Sequence, residues 1–338
     1  LFYSPGRVNL IGEHTDYNGG YVFPCALDFG TSLAARKTTS PDIKLFSLNF
    51  PGEVSVRVMP LYKAITGSWT NYPVGVINEF ALKGIPVPGG LELFFYGDIP
   101  NGAGLSSSAS IEMVTAVAIN ELTGAGLPMM ELVKMGQKAE NNFAGMNCGI
   151  MDQFAVGFGR KDHAINLNCD TLEYRYAPVN LGDRRLIITN TNKRRGLTDS
   201  KYNERRSECE KAVALISEHK KISNLSELTV SDLWMLDKYI GDEVVRKRAR
   251  HVITENGRTL DAIRALEEND IESFGRLMNE SHDSLYHDYE VTGTELDALV
   301  YEGRKLPGVT GTRMTGAGFG GCTVSIVETS HADSFMKR

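Results

Sequence analysis

Cysteine is scarce in this 338-residue chain: five residues, at 25, 148, 169, 209 and 322, never two in C-x-x-C spacing. An odd, scattered set argues against a disulfide framework and against a zinc site, and for a reducing compartment. No apolar run approaches the ~20 residues that a membrane-spanning helix needs. No signal peptide opens the sequence, so a cytoplasmic protein without membrane attachment is the expectation. Excess positive charge is missing as well. A net charge of -6 gives no general attraction for nucleic acid or an anionic bilayer. Neither internal repeats nor low-complexity tracts interrupt the chain. What is left, 42% hydrophobic and 23% charged, is an ordinary globular composition long enough for one large or two medium domains.

Among the residues present, the stretch from Gly97 to Glu112 (GDIPNGAGLSSSASIE) carries the most chemistry. Leu91–Tyr96 before it is a short apolar and aromatic run that reads as a buried strand. After it, Ile111, Val114, Thr115, Val117, Ala118 and Leu122 recur at helical spacing up to a Gly124–Gly126 breaker. Strand, glycine-rich turn, serines and helix together aim backbone N–H groups and the helix dipole at one point, where an anion fits. Small residues at 102 to 104 let a phosphate approach, and the serines supply hydroxyl donors or a magnesium ligand. Two common nucleotide loops are excluded. The P-loop lysine is absent, and Ser107 occupies the place of the third Rossmann glycine. Plain helix N-caps are the other reading of these serines.

The first block, Ser4 to Pro24, packs an arginine, two carboxylates, a histidine, two asparagines and two glycines between Arg7 and Gly19. Such density beside conformationally free glycines reads as a binding turn rather than a core strand, with a solvated turn as the alternative. His14 on its own also fits a hydrogen-bonded structural histidine. Leu27–Arg36, Ile43–Asn49, His163–Asn168, Tyr174–Val179 and Leu186–Thr189 read as strands. Pro128–Phe143 reads as one helix with Leu132, Val133, Met135 and Ala139 on a face. Glu140 near its end is ill placed for the helix dipole unless it is solvated or bound. Asp152 lies inside the apolar run Ile150–Val156 and wants a cation, for which Arg7 is the candidate. Such a partner keeps the carboxylate ionised. Charged helices are predicted over Lys201–His219, Asp242–Leu266 and Ile271–Met278, with a shorter helical region over Asn224–Ile240. The cluster Arg246, Lys247, Arg248 and Arg250 spreads around its helix and reads as a solvated face rather than an RNA site. Four glycines between Arg313 and Val327 mark a tight turn ahead of an alternating apolar strand.

Three of these stretches resemble the motifs of the GHMP kinases. Pro100 to Ser110 matches their phosphate loop, Arg313–Val327 their third motif, and Gly6–Tyr17 the galactokinase signature G-R-x-N-[LIV]-I-G-[DE]-H-x-D-Y throughout. The resemblance implies an α+β, two-domain GHMP kinase fold. Residues 1–180 would form a domain like ribosomal protein S5 domain 2, and residues 184–338 a ferredoxin-like domain. It also implies further residues before Leu1 and after Arg338. By that resemblance ATP phosphates bind at Gly102, Ala103, Gly104, Leu105, Ser106, Ser107 and Ser108, and the nucleotide also meets Ser47 and Trp69. Trp69 has packing at the surface as its alternative. Glu13, His14, Thr15, Asp16 and Tyr202 would hold sugar hydroxyls, since carboxylates accept two hydroxyl protons each. Ser108 and Glu140 would ligate Mg2+. Asp152 would be the general base, with Arg7 beside the reacting oxygen.

The activity implied is MgATP-dependent phosphorylation of galactose at its anomeric hydroxyl by a monomer that binds neither nucleic acid nor membrane. The alternatives are a kinase of N-acetylgalactosamine or arabinose, and a non-catalytic galactose and ATP sensor. Such sensors lack the Ser-Ala pair that stands here as Ser108-Ala109.

Overall fold

The computed structural model describes the whole chain except Pro88, Asn101 and residues 194–197, together with the side chains of residues 198 and 199. In chain order the strands are β1 (Phe2–Asn9), β2 (Tyr21–Val22), β3 (Pro24–Thr38), β4 (Asp42–Ser47), β5 (Glu53–Arg57) and β6 (Gly90–Gly97). They continue with β7 (His163–Asn168), β8 (Tyr174–Pro178), β9 (Arg184–Asn190), β10 (Val309–Thr315) and β11 (Cys322–Glu328). The helices are α1 (Asn71–Leu82), α2 (Ser107–Thr123), α3 (Met129–Lys138), α4 (Met151–Phe158) and α5 (Thr198–Ser217). After these come α6 (Leu233–Tyr239), α7 (Glu243–Glu267), α8 (Ile271–Ser284), α9 (Thr294–Gly303) and α10 (Ala332–Lys337). Helix and strand are mixed in the α+β manner expected. No described helix is long and apolar enough to cross a membrane, and all five cysteines are free thiols.

The chain divides into two compact units, the first made of residues 1–7, 26–101 and 106–159. A five-stranded sheet in the order β1-β3-β6-β4-β5 is built here. Strand β6 runs antiparallel to β3 and parallel to β4. Its alternation explains its place: Leu91, Leu93 and Phe95 are buried while Phe94 and Tyr96 are exposed. Helix α2 is buried nearly all round through Ala109, Met113, Val114, Ala116, Ala118 and Ile119, which makes it the central helix of the unit. It stops at Gly124 in the left-handed conformation.

The second unit comprises residues 8–25, 102–105 and 160–338. It holds two antiparallel sheets, β10-β11-β9 and β2-β7-β8. The 25-residue α7 packs Val245, Ala249, Val252 and Ile253 into one core with Cys209, Ile216, Leu236 and Tyr289. Asp242 caps it through the Val244 and Val245 amides. Helix α8 lies close on β10 because Gly275 and Gly311 meet there. A Cβ on either would come within 2.5 Å of backbone oxygen.

Two expectations are corrected. The helix over Pro128–Phe143 is α-helical only to Lys138; Ala139–Ala144 is π-helical, so Glu140 is carried by a widened turn. The basic cluster on α7 is not a uniformly solvated face. Arg248 is 2% exposed and bonds to Glu208, Glu290 and the Asp288 carbonyl. Charge partners distant in sequence draw it inward.

Candidate active site

In the first unit Arg7, from β1, and Asp152, from the first turn of α4, form a bidentate pair. Arg7 Nε donates to Asp152 Oδ1 at 2.9 Å and Nη2 donates to Oδ2 at 2.9 Å. The guanidinium is 4% exposed and the carboxylate 25% exposed, so the cation is buried behind an acid that solvent can reach. Ser106 Oγ donates to Asp152 Oδ2 at 2.6 Å. Ser106 stands at the N-cap position of α2 but makes no cap bond, and it holds φ 60°, unusual for a residue with a side chain. The N-cap alternative therefore fails for Ser106, whose hydroxyl serves the aspartate instead.

Beside this pair is a buried acid cluster. Glu140 bonds to Ser108, and its Oε2 accepts from Gln153 Nε2 at 2.5 Å. Burial, then the charge of Asp152, pushes the Glu140 pKa up to about 7. Glu112, fully buried on α2, is raised well above the usual range by burial and then by Glu140. Among the described residues no three His, Cys, Asp or Glu side chains converge as a metal cage. The donors available are one hydroxyl and one carboxylate. That set fits magnesium, which keeps several waters and takes substrate phosphate oxygens rather than an all-protein cage.

Ser47, Trp69, Ser107 and Ser108 line one cavity of about 130 Å³ together with Tyr72 and Phe95. Trp69 stacks on Phe50 with centroids 5.9 Å apart and meets Phe95 edge-on. In the glycine-rich loop Gly102 and Gly104 hold φ 71° and 75°. A Cβ on Gly102 would meet nothing within 4 Å, so its backbone faces open space. Ala103 and Leu105 are buried.

The second unit carries the signature turn. Glu13 is 1% exposed; its Oε2 accepts from Asn9 Nδ2 at 2.8 Å and its Oε1 from the Gly316 amide at 2.7 Å. His14 holds φ 62° with both ring nitrogens engaged. Nε2 lies 3.2 Å from the Ala317 carbonyl, which can only accept, so Nε2 carries the proton and Nδ1 accepts from Tyr17 at 2.8 Å. Burial, then the nearby His251, pushes the His14 pKa down to about 3 against the pull of the Ala317 carbonyl. Thr15 donates to the Gly12 and Tyr21 carbonyls and closes the turn. Asp16 opens a half-buried 3-10 turn. Tyr202 brings its ring to 5.5 Å from His14 and 5.2 Å from Tyr17. The four glycines of the 316–321 loop all hold positive φ, and a Cβ on Gly318 would sit 2.2 Å from the Val291 carbonyl.

Sequence reasoning missed the residues behind these groups. Glu112 stands one helical turn after Ser108 as a lone acid between Ile111 and Met113, a readable signal. Gln153 follows Asp152 directly. Arg313, fully buried, donates to the Asn9 and Leu10 carbonyls behind Glu13, and nothing local announces that.

Comparison with known proteins gives a consistent answer. Residues 71–160 match the family model described as GHMP kinases N terminal domain, and residues 262–338 match GHMP kinases C terminal. Residues 1–37 match the galactokinase galactose-binding signature. The galactokinase of Clostridium acetobutylicum is 54% identical over 340 residues, spanning 100% of this chain and 87% of that protein. That of Fusobacterium nucleatum is 54% identical over 339 residues, spanning 99% and 87%. The crystal structure of Lactococcus lactis galactokinase complexed with galactose superposes with a TM-score of 0.97 at 46% identity, covering 99% of this chain and 87% of that one. Methanococcus jannaschii mevalonate kinase, at 22% identity and a TM-score of 0.69, shares the fold.

Proposed function

This chain belongs to the galactokinases of the GHMP kinase family, and on that premise we propose how its residues divide the work of the reaction. It is an ATP-dependent sugar kinase that phosphorylates galactose at the anomeric hydroxyl, the entry step of galactose breakdown. Asp152 is the general base. It accepts the hydroxyl proton as that oxygen attacks the terminal phosphorus of ATP, and the bond to the bridging oxygen of ADP breaks. Arg7 holds both carboxylate oxygens and offsets their charge. The single observation that carries this assignment is that pair: a buried arginine gripping a partly exposed aspartate, with Ser106 fixing the same oxygen.

Backbone amides of Gly102 to Ser108 and the N-terminus of α2 take the phosphates. Ser47 and Trp69 take the rest of the nucleotide, in support of which both line the cavity with Ser107 and Ser108. Ser108 and Glu140 hold magnesium, which supplies charge neutralisation of the phosphates when bound. Glu13, Asp16 and Tyr202 bind galactose hydroxyls. His14 and Thr15, whose polar atoms already have partners, keep the signature turn in shape. A cytoplasmic monomer is part of the same reading, supported for the compartment by five unbridged thiols.

The test is Asp152→Asn, followed by galactose-dependent ADP release and by galactose binding. We expect binding within a few-fold of wild type and kcat lower by ~10²–10⁴, the usual worth of a general base. Wild-type turnover in the folded variant removes Asp152 from the mechanism.

A further inference from the structure

Gln153 is fully buried on α4, one residue beyond Asp152. Its Nε2 donates to Glu112 Oε2 at 2.9 Å and to Glu140 Oε2 at 2.5 Å. One amide nitrogen thus joins two buried carboxyl groups, one hydrogen to each. Few other side chains could do this without a charge of their own. Glu112 in turn lies on α2 four residues after Ser108, the residue whose hydroxyl bonds Glu140. Glu140 is therefore tied to α2 twice, directly through Ser108 and indirectly through Gln153 and Glu112. The second tie reaches Glu140 in a π-helical turn, a form frequent at functional sites.

We propose that Gln153 and Glu112 are positioning residues that hold the Glu140 carboxylate in place for the metal of the nucleotide complex. The inference rests on the magnesium-ligand role given to Glu140 above. Two further observations fit it. Glu112 Oε1 and Gln153 Oε1 are both buried without a hydrogen-bond partner among the described residues. A pair of helices packed for stability alone would gain by replacing these groups with apolar ones. Outer partners of metal ligands are typically worth 10- to 100-fold in metal affinity.

The experiment measures Mn2+ binding to the full chain in the presence of ADP, reading free Mn2+ by electron paramagnetic resonance. Galactose affinity by calorimetry serves as the control for folding. Gln153→Met removes both donors and should weaken Mn2+ binding about 10- to 100-fold, with galactose affinity within threefold. Glu112→Asp withdraws the anchor by one methylene and should weaken Mn2+ binding several-fold. Glu112→Gln keeps an acceptor oxygen on a side chain of the same length and should stay within threefold of wild type. Should Gln153→Met fail to fold, the contrast between Asp and Gln at position 112 decides. Wild-type Mn2+ affinity in Gln153→Met, or equal affinities for the two variants at 112, overturns the proposal. Glu140→Gln is run alongside. If it too binds Mn2+ normally, the metal-ligand reading itself has failed. If it alone loses Mn2+, only the positioning inference has.

Discussion

The acid cluster around Glu140 and the signature turn around His14 are both buried and both polar, yet they solve burial in opposite ways. Around His14 every step of a hydrogen-bonded row is neutral and has one direction. Cys209 donates to Tyr289, Tyr289 to Tyr17, Tyr17 to His14 Nδ1, and His14 Nε2 to the Ala317 carbonyl. The Cys209 thiol, pushed up to about 12 chiefly by burial, stays protonated and so can begin the row. Around Glu140, by contrast, two acids with raised pKa values share one amide, and two oxygens lack partners among the described residues. The first region is finished by the protein itself and gives a rigid, selective surface. In the proposed roles, the proton held by Glu140 is the one a divalent cation displaces. On that assignment the closed turn serves a neutral sugar, and the exchangeable proton serves a metal.

The largest expected effect tests the rigid region. Each galactose hydroxyl held there leaves an unpaired polar group when an epimer turns it away, which rejects analogues by ~10⁴–10⁵. Glucose, differing at one hydroxyl, should show a kcat/KM lower by several orders of magnitude in a coupled ADP assay. N-acetylgalactosamine keeps that hydroxyl and adds bulk next to the anomeric carbon, so it too should be slow. If it outran galactose at equal sub-saturating concentration, the sugar assignment would be wrong while the kinase chemistry stood.

A smaller effect sharpens the directional row. Tyr17→Phe deletes one donor to His14 and one acceptor for Tyr289, leaving buried groups unmatched. Stability should fall by about 1–3 kcal/mol in urea melts, with the metal dependence of the rate unchanged. An equal loss of metal response would mean that the two regions are not separate in function.

A further effect is one of pH. Glu140 has a folded pKa of about 7 against an ordinary 4.5, so its folded form holds a proton that the unfolded chain releases. Its contribution to stability is full below 4.5 and is lost as pH rises through 7. Metal-free protein should therefore lose stability over that window, by at most about 1.4 kcal/mol per pH unit from this one group. Glu140→Gln should flatten that slope in thermal melts. An unchanged slope would place the titration elsewhere. His14, with its pKa lowered to about 3, should add no limb to the rate profile between pH 5 and 8.

Much of this was legible before any coordinates. An aspartate in an apolar run needs a cation, and Arg7 answered that need. An apolar and aromatic run placed β6, whose alternate exposure of Phe94 and Tyr96 it did not show, and the serine run placed the start of α2. What escaped reading depends on contacts distant in sequence. Ser106 looks like a cap locally, yet its hydroxyl goes to an aspartate 46 residues on. The π turn at Ala139–Ala144 is one residue out of helical register, and no local pattern marks it. Arg248 is drawn inward by Glu208 and Glu290, each about 40 residues away. Helices α1, α4, α9 and α10 went unpredicted, α4 because an eight-residue apolar run shows too few turns to reveal a period.

The contrast between an exchangeable acid cluster and a closed neutral turn is tested most directly by a magnesium titration of the steady-state rate. Wild type and Glu140→Gln are compared at saturating ATP, with galactose affinity measured on the same preparations. The account predicts that Glu140→Gln needs a much higher magnesium concentration for half-maximal rate while galactose affinity hardly moves. An unaltered magnesium dependence, or a parallel loss of galactose binding, would contradict it.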